Sequence, residues 1–269
     1  VLAAQPAFHE LSRQAERMAT WDDHDFGDNN EDRFYALKDT SKAIFRSFWE
    51  LEESIPATRD GVYYARRFES DAGTLQVIML DVRYNRDRPG PDADMLGEAQ
   101  WTWLEEQLTQ PADLRLIVSG TQILLDAESG SETWEEYPEA RARLMSLIRT
   151  SRSEGVLLIT GDQHYAEVGR APDLLDVDAI EIQFATLNQI EDPEFSLYRV
   201  SPVARSLHTV GWIDVQWQDT DEEPAHLVYR VSNAETGEAE IIYRVNLSEL
   251  RLDATVTGDR VFWPYTEIA

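Results

Sequence analysis

The segment Gly155-Val-Leu-Leu-Ile-Thr-Gly-Asp-Gln-His164 places five aliphatic or β-branched residues between two glycines and follows them with an aspartate and a histidine two positions apart. A run of that length is too short for a helix and reads as a buried strand over 156–160. Gly155 in front of it fits the stop of the preceding helix, 139–150. The same unit recurs upstream. A strand at 114–118 leads into an irregular loop through Asp126-Ala-Glu-Ser-Gly130. A strand at 75–81 is followed by a polar, proline-containing loop at 85–94 and by a helix at 97–109 that carries Trp101, Leu104 and Leu108. Strands alternating with helices argue for a parallel sheet of the α/β class.

Outward from this core the character changes. The spacing of Phe8, Leu11, Ala15 and Met18 predicts a helix over 6–18, and Leu37, Ile44, Phe45 and Phe48 predict one face of a helix over 34–49. Between them lies an acidic loop, 22–32. Past residue 170 the chain turns strand-rich, with strands expected at 179–185, 211–217, 226–231 and 240–245. Ser232-Asn-Ala-Glu-Thr-Gly237 forms a hairpin-type connection between the last two. No fixed-period repeat and no low-complexity linker divides the chain. The expectation is one α/β domain over 1–269, with sheet layers packed together: a motif-bearing part, 1–200, and a strand-rich part, 201–269.

Composition narrows the function. The chain has 51 acidic residues against 24 basic ones, a formal charge of −27. Such a surface repels nucleic acid and anionic lipid, so a polyanionic substrate needs bound cations or focused arginines to reverse the local potential. Only Lys38 and Lys42 are lysines, a bias that suits a salt-adapted surface. The absence of cysteine excludes disulfides, thiolate metal sites and thiol nucleophiles. No apolar run is long enough to span a bilayer, and no leader is visible.

Several chemistries fail on their own motifs. Neither lysine follows a glycine, so there is no P-loop, and the Gly-x-Ser-x-Gly elbow is absent. His9-Glu10 opens a zinc-protease pattern, but Arg13 stands where its second histidine belongs. Asp92-x-Asp94 does not continue as a calcium loop. What remains is Asp22-Asp-His-Asp25 together with Gly161-Asp-Gln-His164. Both sit at loop mouths, where open α/β sheets bind ligands. Carboxylate and imidazole together suit Zn, Fe or Mn, and the oxygens suit Ca or Mg. In so acidic a chain the same residues also fit a solvated turn and a plain hydrogen-bonded pair.

Four elements occur in one order: Trp21-Asp-Asp-His-Asp-Phe-Gly-x-Asn-Asn30, Leu80-Asp-x-Arg83, Met95-Leu-Gly-Glu-x-Gln-Trp-x-Trp-Leu104 and Gly161-Asp-x-His-Tyr165. With them the chain resembles the PhoD-like alkaline phosphatase/phosphodiesterase family of metallophosphoesterases, from about Pro6 to Arg170. The resemblance implies a four-layer αββα sandwich and hydrolysis of phosphomonoesters or phosphodiesters by a metal-activated hydroxide. Calcium with iron is the implied metal pair, with Zn, Mn or Mg as other candidates. It further implies metal ligation by Asp23 or Asp22, and by Asp162 and His164. His24 would face the scissile phosphate, oriented by Asp25. Arg83 is a candidate phosphate clamp, with a surface ion pair as the other reading. Substrates would be small phosphoesters or a phosphate-containing polymer, in a secreted or periplasmic setting. The family's upstream Gly-Asp-x-x-Tyr element has no counterpart before Trp21, so the N-terminal part of the fold is expected to be missing from the chain. The reading from another class is a non-catalytic module that keeps the fold and binds cations or a partner.

Overall fold

A six-stranded mixed sheet runs in the order β1 (Tyr64–Glu69), β2 (Thr74–Met79), β3 (Leu114–Val118), β4 (Val156–Thr160), β6 (Ala179–Gln183), β5 (Glu167–Ala171). In this computed structural model β2, β3, β4 and β6 are parallel, and β1 and β5 are antiparallel strands at the two edges. Described are residues 5–125, 132–172, 174–175, 178–184, 192–193, 196–204 and 208–252. The expected loop at 126–130, Ala185 at the end of one expected strand, and the stretch 253–269 lie outside them.

Parallel strands are covered on both faces, which is why the central ones read as continuous apolar runs. One face of the sheet, with Ile78, Ile117 and Leu158, packs on α4 (Glu98–Leu108) through Trp101 and Leu104 and on α5 (Pro138–Thr150) through Leu144 and Ile148. The opposite face has two covers. Leu157, Ile159, Ile180 and Ile182 meet an antiparallel meander of β7 (Thr209–Gln216), β8 (His226–Asn233) and β9 (Ala239–Asn246). Val77 and Met79 lie instead beneath Trp21, Phe26 and Phe45 of the N-terminal segment. On the outer side of the meander Trp212 and Ile242 remain about half exposed, 46% and 50%. A second helical layer there is not found among the described residues.

The strands at 114–118 and 156–160 form as the sequence predicts. Two strands were not anticipated. β1 carries Arg66, Arg67 and Glu69, charges that an edge strand can keep in solvent. β5 holds a buried Glu167, paired with Arg199, and a half-buried Arg170, paired with Asp178 and Glu249.

The N-terminal helices are shorter than expected and turned differently. The first, α1 (Pro6–Gln14), buries no residue. A single turn, α2 (Asp23–Phe26), stands inside the expected acidic loop. In α3 (Lys38–Phe48) Phe45 is buried, but Leu37 and Ile44 of the expected apolar face are exposed. The cause is a polar anchor. The Lys38 and Lys42 ammonium groups lie 4.4 and 4.7 Å from the centroid of the Tyr84 ring. The Tyr84 hydroxyl donates to Asp39, and Lys42 Nζ donates to the Arg59 carbonyl at 2.9 Å. The helix is therefore docked by its lysines rather than by Leu37 and Ile44.

The loop that leaves β3 is tied down from β6. Glu181, on the strand face opposite Ile180 and Ile182, accepts the N–H groups of Ile123 (2.7 Å) and Leu124 (3.0 Å) with one carboxylate oxygen. Burial raises its pKa to about 7 against these hydrogen bonds, from an ordinary 4.5. An acid whose folded pKa is raised stabilises the fold most below its unfolded pKa, and that contribution disappears as pH rises through the folded value. Glu181→Gln keeps the acceptor oxygen without the proton. It is expected to flatten the fall in stability between about pH 4.5 and 7, read by denaturant titration at several pH values. Equal pH dependence in the two chains would refute this account.

Candidate metal centre

Because β2, β3 and β4 are parallel, the loops that leave their C-terminal ends converge at one edge of the sheet. Asp81 leaves β2 as a fully buried carboxylate. It accepts the indole N–H of Trp21 at 2.8 Å and the backbone N–H groups of Val62, Arg83 and Tyr84 at 2.7 to 2.9 Å. Burial raises its pKa, and these four donors work against that rise. Gly61 makes the approach possible: at φ +121°, a Cβ there would lie 2.4 Å from Asp81 Oδ2. Trp21 is thus fixed by its nitrogen, while its ring packs on Phe26 and Phe45. Thr20 Oγ1 donates to the Leu80 carbonyl at 2.7 Å and completes the attachment. These contacts lay Asp22 and Asp23 across the ends of β2 and β3. At Gly120, just past β3, a Cβ would come within 2.8 Å of Asp22 Oδ1 and 2.9 Å of the Trp21 carbonyl.

Past β4, the loop carries Asp162 and His164, both in the left-handed backbone region at φ +78° and +55°. Such conformations cost on the order of 1–3 kcal/mol each and are kept where the surroundings impose them. The result is a trio. Asp22, Asp23 and Asp162 each offer a carboxylate oxygen within 4.8 Å of the other two, although 139 positions separate Asp23 from Asp162. Among the described residues no other group of three such side chains comes together in this way.

Each carboxylate is held differently. Asp23 accepts the N–H of His24 at 2.7 Å with one oxygen and that of Asn30 at 3.1 Å with the other. Asp162 accepts from Gln163 Nε2 at 2.8 Å, and the same amide reaches the Glu132 carbonyl at 3.1 Å. Asp22 Oδ1 is taken by the Arg83 guanidinium, while Asp22 Oδ2 is buried with no hydrogen-bond partner. An orphaned carboxylate oxygen inside a protein costs roughly 1–3 kcal/mol or more, and a bound cation would satisfy it. Burial raises the pKa of Asp162, and Asp22 and Glu132 raise it further. That of Asp22 is raised by burial as well, with Arg83 opposing. Three crowded carboxylate oxygen donors with one unsatisfied oxygen suit a hard cation.

Other expected site residues fall around the trio. His164 follows Asp162 on the same loop with a buried Nδ1, but lies outside the three. The His24 side chain is 71% exposed, and its Nε2 stands 3.9 Å from Asp23 Oδ2. Asp25 does not hold the imidazole as expected: the carboxylate beside the His24 ring is that of Asp23. Burial raises the pKa of Asp25. Arg83 is neither a free phosphate clamp nor a surface ion pair. It has no exposed surface, and its guanidinium bonds Asp22 on one side and both oxygens of Glu132 on the other. Burial opposes its charge, but the two carboxylates outweigh burial and its pKa is raised.

Glu132 and Arg86 escaped the sequence reading altogether. Glu132 is buried between the guanidinium groups of Arg83 and Arg86, and Arg86 also donates to the Asn30 carbonyl at 2.7 Å. The only sequence signal for such a partner is Arg83 itself, whose motif position at a strand end demands a counter-charge without naming one.

The solved structure of PhoD superposes on the chain with a TM-score of 0.53 at 16% sequence identity, over 84% of this chain and 54% of that one. Purple acid phosphatase PPD1 from yellow lupin (Lupinus luteus) seeds aligns with a TM-score of 0.46 at 11% identity, over 77% of this chain and 36% of that one. The chain therefore spans about half the length of the PhoD structure, whose mixed α/β fold it shares. No curated protein matches by sequence. The family model for PhoD-like phosphatases matches residues 2–197, which is most of the chain, and the protein belongs to that family.

Proposed function

We propose that this protein hydrolyses phosphomonoesters or phosphodiesters with cations held by Asp22, Asp23 and Asp162. The observation that carries the reading is the unsatisfied, buried Asp22 Oδ2 inside a trio of carboxylates at the ends of the parallel strands. Membership of a phosphatase family supports the reaction class. The all-oxygen trio is compatible with Ca, Mg, Mn or ferric iron, and calcium with iron is our assignment. The four-layer arrangement of the family is likewise part of this proposal for the protein as a whole.

Cations bound there supply Lewis acidity, which stabilises charge on the phosphoryl oxygens and makes water a stronger nucleophile. The chain's own residues do the rest. The trio would hold the cations that seat the phosphoryl group, and the Trp21–Asp81 contact positions Asp22 and Asp23. His24, exposed beside Asp23, would give a proton to the departing alkoxide. Arg83 stays buried and sets the aim of Asp22 rather than gripping substrate. With a formal charge of −27 the surface disfavours nucleic acid as the phosphodiester.

The deciding test combines elemental analysis of the purified protein with hydrolysis of an aryl phosphate. Turnover is expected to vanish with chelator and to return with added cation. Asp162→Asn is expected to lose cation affinity and activity together. Cation bound at full occupancy without turnover on any phosphoester would instead support a non-catalytic binding module.

A second measurement isolates His24. If its imidazole protonates the leaving group, His24→Ala lowers kcat by roughly 10²–10⁴-fold on alkyl phosphates. The loss should be much smaller on nitrophenyl phosphate, whose leaving group needs little protonation. A uniform loss across leaving groups would remove His24 from that role.

A further inference from the structure

Glu132 stands next to the trio without belonging to it, and its surroundings suggest why it is there. Its Oε1 accepts from Arg83 Nη1 at 2.8 Å, its Oε2 accepts from Arg83 Nη2, and Arg86 binds Oε1 from the other side. Nη1 of Arg83 is therefore turned toward Glu132, Nη2 is shared between Glu132 Oε2 and Asp22 Oδ1, and Nε donates to Asp22 Oδ1. A guanidinium facing a lone carboxylate closes a two-toothed fork on both of its oxygens. Here the second tooth is shared with Glu132 and meets Asp22 only at Oδ1. The consequence is visible on Asp22, where Oδ1 is bonded and Oδ2 is not.

We propose that Glu132 is a positioning residue: by engaging the Arg83 fork it prevents Arg83 from capping both oxygens of Asp22, and so keeps Asp22 Oδ2 open for a cation. The inference rests on the cation site proposed above. Arg86 belongs to the same device, because it holds Glu132 in place and offsets part of the charge that Glu132 brings into the buried cluster. Glu132 lies immediately after residues 126–131, on the chain that returns from β3, and its carbonyl receives the Gln163 amide that also bonds Asp162. It thereby joins the Asp22 and Asp162 loops through two different atoms.

The test is calorimetric titration of the full chain with Mn²⁺ alone and with Ca²⁺ alone, for the wild type, Glu132→Gln, and Arg83→Gln/Glu132→Gln. Changes to residues that orient metal ligands weaken metal binding by roughly 10–100-fold, and that loss is expected for Glu132→Gln, in which Arg83 is free to turn onto Asp22. The double variant removes the competing fork as well, so its affinity should recover most of the loss. A residue that merely supports the fold would give the opposite order, with the double variant the weaker binder. Unchanged affinity in Glu132→Gln, or no recovery in the double variant, overturns the proposal. If Glu132→Gln fails to fold, Arg86→Gln carries the test. Glu132 would then be held less firmly against Arg83, so affinity should fall severalfold, and unchanged affinity would overturn the proposal. Absence of cation binding by the wild type would reject the metal site itself, an outcome distinct from a wild type that binds and a Glu132 variant that binds equally well.

Discussion

Arg83 is a full positive charge with no surface in contact with solvent. Removing an ion from water costs several kcal/mol even after the protein relaxes, and only well-placed partners repay it. Asp22 and Glu132 are those partners. In a chain with a formal charge of −27 a buried cation looks easy to satisfy, yet the surface acids are of no help to it. What counts is that two carboxylates are brought inside with it. In return the guanidinium allows Asp22 to remain an anion a few ångströms from Asp23 and Asp162. Removing Arg83 alone would leave a crowd of buried carboxylates that could relieve their repulsion only by taking up protons or by moving apart.

The sheet makes this arrangement possible. Three parallel strands end together, so residues from the regions of Asp22, Asp81, Gly120 and Asp162 can share one small volume. Side chains do not achieve the closeness alone. It depends on bare backbone at Gly61 and Gly120, and on a left-handed turn that Asp162 and His164 adopt at an energetic cost. Asp81 then converts strand position into loop position by holding Trp21. The acidic turn is therefore located by the core and not by its own hydrogen bonds.

Much of this was legible in the amino-acid sequence, for a physical reason. Strands buried on both faces must be apolar throughout, so β3 and β4 announce themselves, and the polar residues just beyond them mark the loops. Asp22, Asp23 and Asp162 could be brought together on paper because strand ends converge in this fold class. Charged strands were not legible. β1 and β5 owe their stability to an edge position and to partners far away in sequence, which no local pattern encodes. The same is true of α3, where Leu37 and Ile44 suggested an apolar face and Tyr84 supplied a cation-binding one. Glu132 and Arg86 were hidden more deeply, since a charge looks alike in sequence whether it is solvated or enclosed. The expected link from Asp25 to His24 failed at a finer scale. Neighbouring residues on one helical turn point away from each other, so adjacency in the motif did not become contact.

The lysine arrangement on α3 has a chemical consequence. Both side-chain amines of the chain are occupied at one tyrosine ring, Lys42 buried and Lys38 partly so. Reagents and enzymes that acylate or crosslink lysine therefore meet a surface almost devoid of targets, despite its many charges. Any that did reach these two would neutralise the ammonium groups that dock α3. For this chain, lysine acylation would be a report on whether that helix has come loose, not a survey of its exterior.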